Sequence, residues 1–280
     1  MSAYGFVGLG QMGAPMARHL AGTGLVVHDT RPEAMEPLVK AGARAARTVA
    51  EVARSAEIVS VMVRDDDQVN EVGAEILASA RPGTVLAVHS TIRASTAEEL
   101  ARRAEPYGIE VVDAPVSGGF MGATVGTLAV MVGGSAEAFE RCREPFGAWA
   151  DLVLHMGPVG AGTRTKLARN LLHFVAFTAA AEAQRLAEAS GVSLRRLARV
   201  VRHSDAVTGG PGAIMLRPTT APLRPDDDLY DVLRNVRDLG EKDLALAVEL
   251  ACDLDVDVPL ARLALDRFGA ALGLEEDRDG

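Results

Sequence analysis

Cysteine is nearly missing from this chain: its 280 residues include two, Cys142 and Cys252. Two cysteines in partly apolar, helix-like surroundings exclude a disulfide framework, and both are expected to be reduced, buried packing residues. The histidines point to no metal either. His19, His28, His89, His155 and His203 are scattered without ligand spacing, so no metal site is expected. Surplus positive charge is absent as well. The net charge is −9, whereas phosphate-backbone binding needs clustered Lys and Arg, so no nucleic-acid partner is expected. No long apolar run occurs. The most apolar stretch, residues 171–181, contains His173 and is flanked by Arg169 and Glu182. It falls short of the roughly 18 apolar residues that suggest a membrane span. The chain opens straight into Tyr4-Gly5-Phe6-Val7 with no basic leader, so no signal peptide is expected. These absences predict a cytoplasmic protein that engages no membrane.

What is present is enough apolar material for two domains: 48% of the residues are hydrophobic, and a domain typically takes roughly 100–200 residues. Up to about residue 155, short β-rich runs alternate with helical patterns. The expected strands are 4–8, 25–28, 58–63, 84–89, 110–113, 128–132 and 152–155, with amphipathic helices such as 12–21 and 94–105 between them. Such alternation predicts a mainly parallel sheet covered on both faces. From Gly160 the β signal stops, and Ala, Leu, Glu and Arg recur at helical spacing as far as Phe268. Breaks fall near Gly191, Gly209–Gly212 and Pro218–Pro225. The expectation is an α/β domain over residues 1–161 and an all-α domain over residues 162–280, entered through one long helix. The acidic tail, 275–280, is expected to fray.

Gly8-Leu9-Gly10-Gln11-Met12-Gly13 follows the first strand directly and opens a helix. In that context GxGxxG is a dinucleotide fingerprint. Gly8 permits the tight turn, Gly10 admits the pyrophosphate, and Gly13 lets helix and strand pack closely. The helix start offers free N–H groups and a partial positive charge to the phosphates. The second strand ends at Asp29, about 20 residues on, where a carboxylate would hold the adenosine ribose hydroxyls. That acid favours NAD over NADP, because its charge repels a 2′-phosphate. Arg31 leaves NADP open: it either neutralises Asp29, contacts a phosphate or is a solvated loop cation.

Lys166 stands four residues before Asn170, so the two share a helix face. A lysine with its pKa well below the free value of about 10.4 can take a proton from an alcohol and return it. Asn170 can hold a substrate oxygen or orient the ammonium without adding charge. His173 lies on the same stripe, either as a core residue or as a proton relay. Ser117-Gly118-Gly119 is a small-residue turn whose N–H groups either converge on an anion or form a plain loop. Phe120 and Met121 beside it either wall a pocket or pack in the core.

Taken together, these segments resemble the β-hydroxyacid dehydrogenase family, which includes 3-hydroxyisobutyrate dehydrogenases and tartronate semialdehyde reductases. The resemblance covers nearly the whole chain. It rests on residues 6–13, on Asp113-Ala114-Pro115-Val116-Ser117-Gly118-Gly119, on Gly160-Ala161-Gly162 with Lys166 and Asn170, and on Lys242-Asp243-Leu244. It implies a Rossmann-type N-terminal domain, a helical C-terminal domain, an active site between them and oligomers (a homodimer or homotetramer) built through the helical part. It further implies a small carboxylate-bearing substrate, a 3-hydroxy acid or its semialdehyde. Carried over, the catalytic lysine falls on Lys166 and the orienting asparagine on Asn170. Ser117, Gly118 and Gly119 would meet the substrate carboxylate, and Thr91 would stand beside nicotinamide and substrate. Cofactor contacts would extend from the glycines to Leu9, Gln11, Met12, Asp29, Thr30, Arg31, Met62, Val63, Thr91 and Lys242. The chain departs from the family at Val63-Arg64, where Leu-Pro is usual, at Arg93-Ala94, where Ser-Pro is common, and at Arg169, where many members have asparagine. Imine reductases share the architecture and are the nearest alternative; a dinucleotide-binding protein without turnover is the other.

Overall fold

The computed structural model describes residues 4–274; the expected frayed tail lies outside them. Clustering of the backbone divides the chain into two compact units, one ending at Asn170 and one beginning at Leu171.

In the first unit nine strands form one sheet: β1 (Tyr4–Val7), β2 (Val26–His28), β3 (Arg44–Ala45), β4 (Ile58–Val61), β5 (Val85–Val88), β6 (Glu110–Asp113), β7 (Val116–Ser117), β8 (Leu128–Gly133) and β9 (Ala150–Gly157). Their order is β3-β2-β1-β4-β5-β6-β8-β7, with β9 on β8. The first six are parallel. β8 then runs antiparallel to β6 and β7, and β9 runs parallel to β8. This is the Rossmann order, extended by an added corner.

Seven helices interleave with the strands: α1 (Gly13–Arg18), α2 (Pro32–Lys40), α3 (Val49–Ser55), α4 (Asp66–Ser79), α5 (Ala94–Ala104), α6 (Gly119–Val125) and α7 (Ala136–Phe146). Several starts are written in the sequence. Thr48, Asp65 and Ser135 each accept an N–H three residues on, capping α3, α4 and α7. Pro32 occupies the first turn of α2, where its missing N–H costs nothing. Side-chain alternation then sends successive strand residues into two apolar layers. Phe6, Val85 and Ala87 enter the layer holding Trp149, while Val7, Leu86 and Val88 enter the other.

The expected strands all form, mostly a residue or two shorter. β3 and β7 were not expected, because two residues are too few to show alternation. The helix expected over 12–21 ends at Arg18: the N–H groups of His19, Leu20 and Ala21 bond three residues back, tightening the last turn.

A long helix, α8 (Ala161–Ala189), starts in the first unit. The second unit holds the rest of it with α9 (Leu194–Thr208), α10 (Tyr230–Asp253) and α11 (Pro259–Ala271). Gly209, in the left-handed region at φ 89°, ends α9 and donates to Asp205 O. Within α8, the buried Glu182 accepts the N–H groups of Leu260 and Ala261, satisfying the first turn of α11. At Gly240 a Cβ would stand 2.2 Å from the Phe268 ring, so a side chain there would prevent this packing of α11 on α10. The proline-rich stretch 209–228 packs within this unit, with Leu223 N–H on Gly273 O.

Cys142 is buried, and burial pushes its thiol up to about 12. Cys252 corrects the expectation: it is exposed, with its sulfur accepting from the Arg262 guanidinium of α11 at 3.7 Å. Among the described residues no helix is long and apolar enough to cross a membrane.

Candidate active site

The chain leaves β1 toward β2 and β3, then returns to β4 on the opposite side of β1. Loops at the carboxyl ends of β1 and β4 therefore diverge, and such a switch point leaves a crevice. A cleft of about 720 Å³ lies there. Of the residues expected at the cofactor, Gly8, Gly10, Gln11, Met12, Gly13, Asp29, Thr30, Arg31, Met62 and Val63 line it. Leu9 does not: its side chain is buried in the core, and its contribution is a backbone N–H donated to Asp29 Oδ2 at 2.7 Å.

The three glycines separate by what a Cβ would meet. At Gly8, where φ is +90°, it would stand 2.3 Å from Met62 O; at Gly13 it would stand 2.0 Å from Gly8 O. Those two glycines are demanded by the protein's own backbone. At Gly10 nothing lies within 4 Å. No protein atom requires glycine there, which fits a ligand that approaches the main chain closely. Residues and cleft thus suit a dinucleotide pyrophosphate at the start of α1.

Asp29 is held from both sides. Besides Leu9, the Arg31 N–H donates to Oδ1 at 2.9 Å and Arg31 Nε at 3.3 Å. Burial raises its carboxyl, but these donors outweigh burial and hold it below the usual carboxylate range. It is therefore a fixed anion on the cleft wall.

Sequence reasoning missed the opposite wall. Gln68, Glu71, Val72 and Glu75 line the cleft from α4, with Arg64 before them. Their spacing marks one helix face. Because the buried residues of α4 lie on another face, the signal was available. The family departure at Val63-Arg64 also has a local explanation. The Ser90 hydroxyl donates to Val63 O at 2.7 Å and accepts Val63 N–H at 2.9 Å. Arg64 N–H, which proline would lack, donates to Gln68 Oε1 at 3.0 Å. Asp66 accepts from Arg93 N–H and the Thr96 hydroxyl, fixing the segment after β5. Thr91, in that segment, is exposed and is not on the cleft wall.

Lys166 and Asn170 lie one turn apart on α8. Lys166 is 8% exposed, and among the described residues no hydrogen bond or ion pair to it is found. Burial, with the Arg169 guanidinium adding to it, pushes the ammonium below the ordinary lysine range. The chain has just three lysines, and the other two are exposed: Lys40 near Glu36, and Lys242 at 3.1 Å from Asp243. Arg169 Nη1 donates to Asn170 Oδ1 at 3.3 Å. Ser117 precedes Gly118 and Gly119, both at positive φ and both exposed. Phe120 and Met121 are exposed on α6, so neither is a core residue. Lys242 is on α10 of the second unit. His173 meets the Phe174 ring edge-on and the Phe177 ring at a tilt, and is half-buried.

The comparisons with known proteins agree over both halves. Residues 3–157 match the family model for the NAD binding domain of 6-phosphogluconate dehydrogenase. Residues 160–279 match that for the NAD-binding region of NADP-dependent 3-hydroxyisobutyrate dehydrogenase. The chain is 55% identical to an uncharacterized oxidoreductase of Mycobacterium tuberculosis, covering 96% of this chain and 93% of that one. It is 37% identical to the NAD-dependent L-serine dehydrogenase of Pseudomonas aeruginosa, covering 96% and 91%. A crystal structure from Mycobacterium avium 104 superposes with a TM-score of 0.95 at 51% identity, covering 99% and 100%. With a Rossmann cleft shaped for a dinucleotide and homology along its whole length, the chain belongs to the β-hydroxyacid dehydrogenase family of NAD(P)-dependent oxidoreductases.

Proposed function

We propose that the protein transfers a hydride between NAD and a small 3-hydroxy acid or its semialdehyde, with Lys166 as general acid and base. When bound, the dinucleotide supplies or accepts the hydride. The reading rests chiefly on Lys166 itself, the one buried lysine of three, with no ion pair to it among the described residues. As a free amine it takes the hydroxyl proton during oxidation; as an ammonium it protonates the forming alkoxide during reduction. Asn170 offers its amide NH₂ to the substrate oxygen, its carbonyl being occupied by Arg169.

Ser117, Gly118 and Gly119 hold the substrate carboxylate in this scheme, and Thr91 and Lys242 complete the contacts to cofactor and substrate. The similarity to an L-serine dehydrogenase supports the substrate class, since L-serine is itself a 3-hydroxy acid. NAD is preferred to NADP because Asp29 stays ionised where a 2′-phosphate would stand. Retention of a proton-transferring lysine and a turn suited to a carboxylate favours hydroxy-acid over imine chemistry. The test is reduced-nicotinamide absorbance across hydroxy acids and semialdehydes, with each dinucleotide, on wild type and Lys166→Ala. Turnover that survives Lys166→Ala would falsify the assignment.

The assembly we propose is a homodimer or homotetramer. Leu223, Leu233, Leu272 and Leu274 form the buried cluster of the second unit, little core for more than a hundred residues. Meanwhile Leu171, Phe174, Val175 and Phe177 of α8 and Val200, Val201 and Val207 of α9 are exposed. Exposed apolar side chains in this number are what a second copy of the chain would cover. Light scattering after size exclusion checks it: a dimer or larger species for wild type, dissociation for Phe177→Glu, and a wild-type monomer sinks it.

A further inference from the structure

Asp113 is a buried carboxylate that the proton transfer does not use. It closes β6, is 0% exposed and faces Gly133 of β8 across the one paired position of those strands. Its Oδ1 accepts Gly160 N–H at 2.7 Å and its Oδ2 accepts Thr163 N–H at 2.6 Å. These donors flank the start of α8, whose first N–H groups have no partner within the helix. The surroundings leave no slack. A Cβ at Gly133 would stand 2.3 Å from Asp113 Oδ1 and 2.8 Å from Gly162 N. One at Gly162 would stand 2.2 Å from Met131 O and 2.4 Å from Asp113 O.

We propose that Asp113 is a positioning residue: by clamping the Gly160 and Thr163 amides it pins the first turn of α8 to β6 and β8, and so holds Lys166 in its desolvated place. Lys166 is three residues beyond the second clamped amide, on a rigid helix, so the clamp fixes both its depth and its direction. Gly133 and Gly162 belong to the same device, because only glycine lets the helix start come this close. Burial outweighs the Thr163 and Gly160 donors and leaves the Asp113 carboxyl above the usual carboxylate range. The inference rests on the proposed role of Lys166 for its catalytic meaning, although the clamp can be tested without turnover.

Three lysines make the test direct. Protein labelled with ¹³C-lysine gives only three Cε signals, so the Lys166 titration is followed directly. In Asp113→Asn the amide presents an N–H₂ to one of the two clamped N–H groups, so one bond is lost. The expected result is a fall of at least about tenfold in kcat. Dinucleotide Kd stays within twofold, and the Lys166 titration moves up toward the ordinary lysine range. Unchanged kcat and titration overturn the proposal, and so does a Kd that worsens in step with kcat. If Asp113→Asn does not fold, amide hydrogen exchange in wild type decides: Gly160 and Thr163 should be protected as strongly as β6 and β8. Exchange at loop rates refutes the clamp. Activity surviving Lys166→Ala would remove the catalytic role of the lysine and leave these readouts standing.

Discussion

Gly10→Ala separates folding from cofactor binding. The position is exposed, its φ is not positive, and a Cβ there meets no protein atom within 4 Å. The folded chain therefore accommodates alanine without strain, and the stiffer unfolded chain yields a gain of about 0.4–1 kcal/mol. That corresponds to a rise of about 1–4 °C in Tm. A bound pyrophosphate meets the same methyl group and has to retreat from the main chain. Losing two charge-assisted hydrogen bonds at about 1.5–3 kcal/mol each weakens binding by at least about a hundredfold. Gly13→Ala, with its Cβ 2.0 Å from Gly8 O, forces the backbone apart and lowers stability instead. Calorimetric titration with NAD and thermal melts of both variants provide the assay. Wild-type NAD affinity in Gly10→Ala, or a lowered Tm, would refute the reasoning about the cradle.

Other expectations follow from single groups. The rate of alcohol oxidation should rise with pH through the depressed Lys166 pKa, with its midpoint below the ordinary lysine range, and Arg169→Asn should move that midpoint up; a midpoint unmoved by this change disproves the electrostatic role of Arg169. Asp29→Asn should lessen discrimination against NADP by about 1.5–3 kcal/mol, for charges ~6 Å apart at an effective dielectric of roughly 40; steady-state kcat/KM with both dinucleotides measures it, and an unaltered ratio counts against Asp29. His89 is wholly buried, its Nδ1–H donating to Ala114 O and its Nε2 accepting the Ser60 hydroxyl, and burial holds it down at about 4 against 6.5 in the unfolded chain. Unfolded chains therefore take up a proton that the folded protein refuses, and stability falls by about 1.4 kcal/mol per pH unit between those values. Denaturant melts from pH 7 to 4 should show a shallower decline in His89→Gln; equal slopes mean that the buried imidazole is not the cause.

The parallel half of the sheet was legible because its strands are long enough to show an apolar run and are spaced by amphipathic helices. The two-residue β3 and β7 left no trace, since two residues are too few to show an alternation. The glycine fingerprint was legible from its place between a strand and a helix. The different demands on Gly8, Gly10 and Gly13 emerged only with the atoms around them. Asp113 shows the limit most clearly: its motif was visible, but its partners, Gly160 and Thr163, are some fifty residues away. The exposed Cys252 was misjudged because an apolar stretch on a helix need not face inward. Asp65 caps α4 and Asp66 tethers the start of α5, roles that depend on neighbours the acidic triplet does not name.

The two-way bond between Ser90 and Val63 has an evolutionary corollary. Because one hydroxyl settles both main-chain groups of residue 63, the bend in this loop does not depend on a ring in the next residue. Position 64 is then free to drift, and a lineage can exchange an inert proline for a long cation at the mouth of the crevice without rebuilding the turn beneath it.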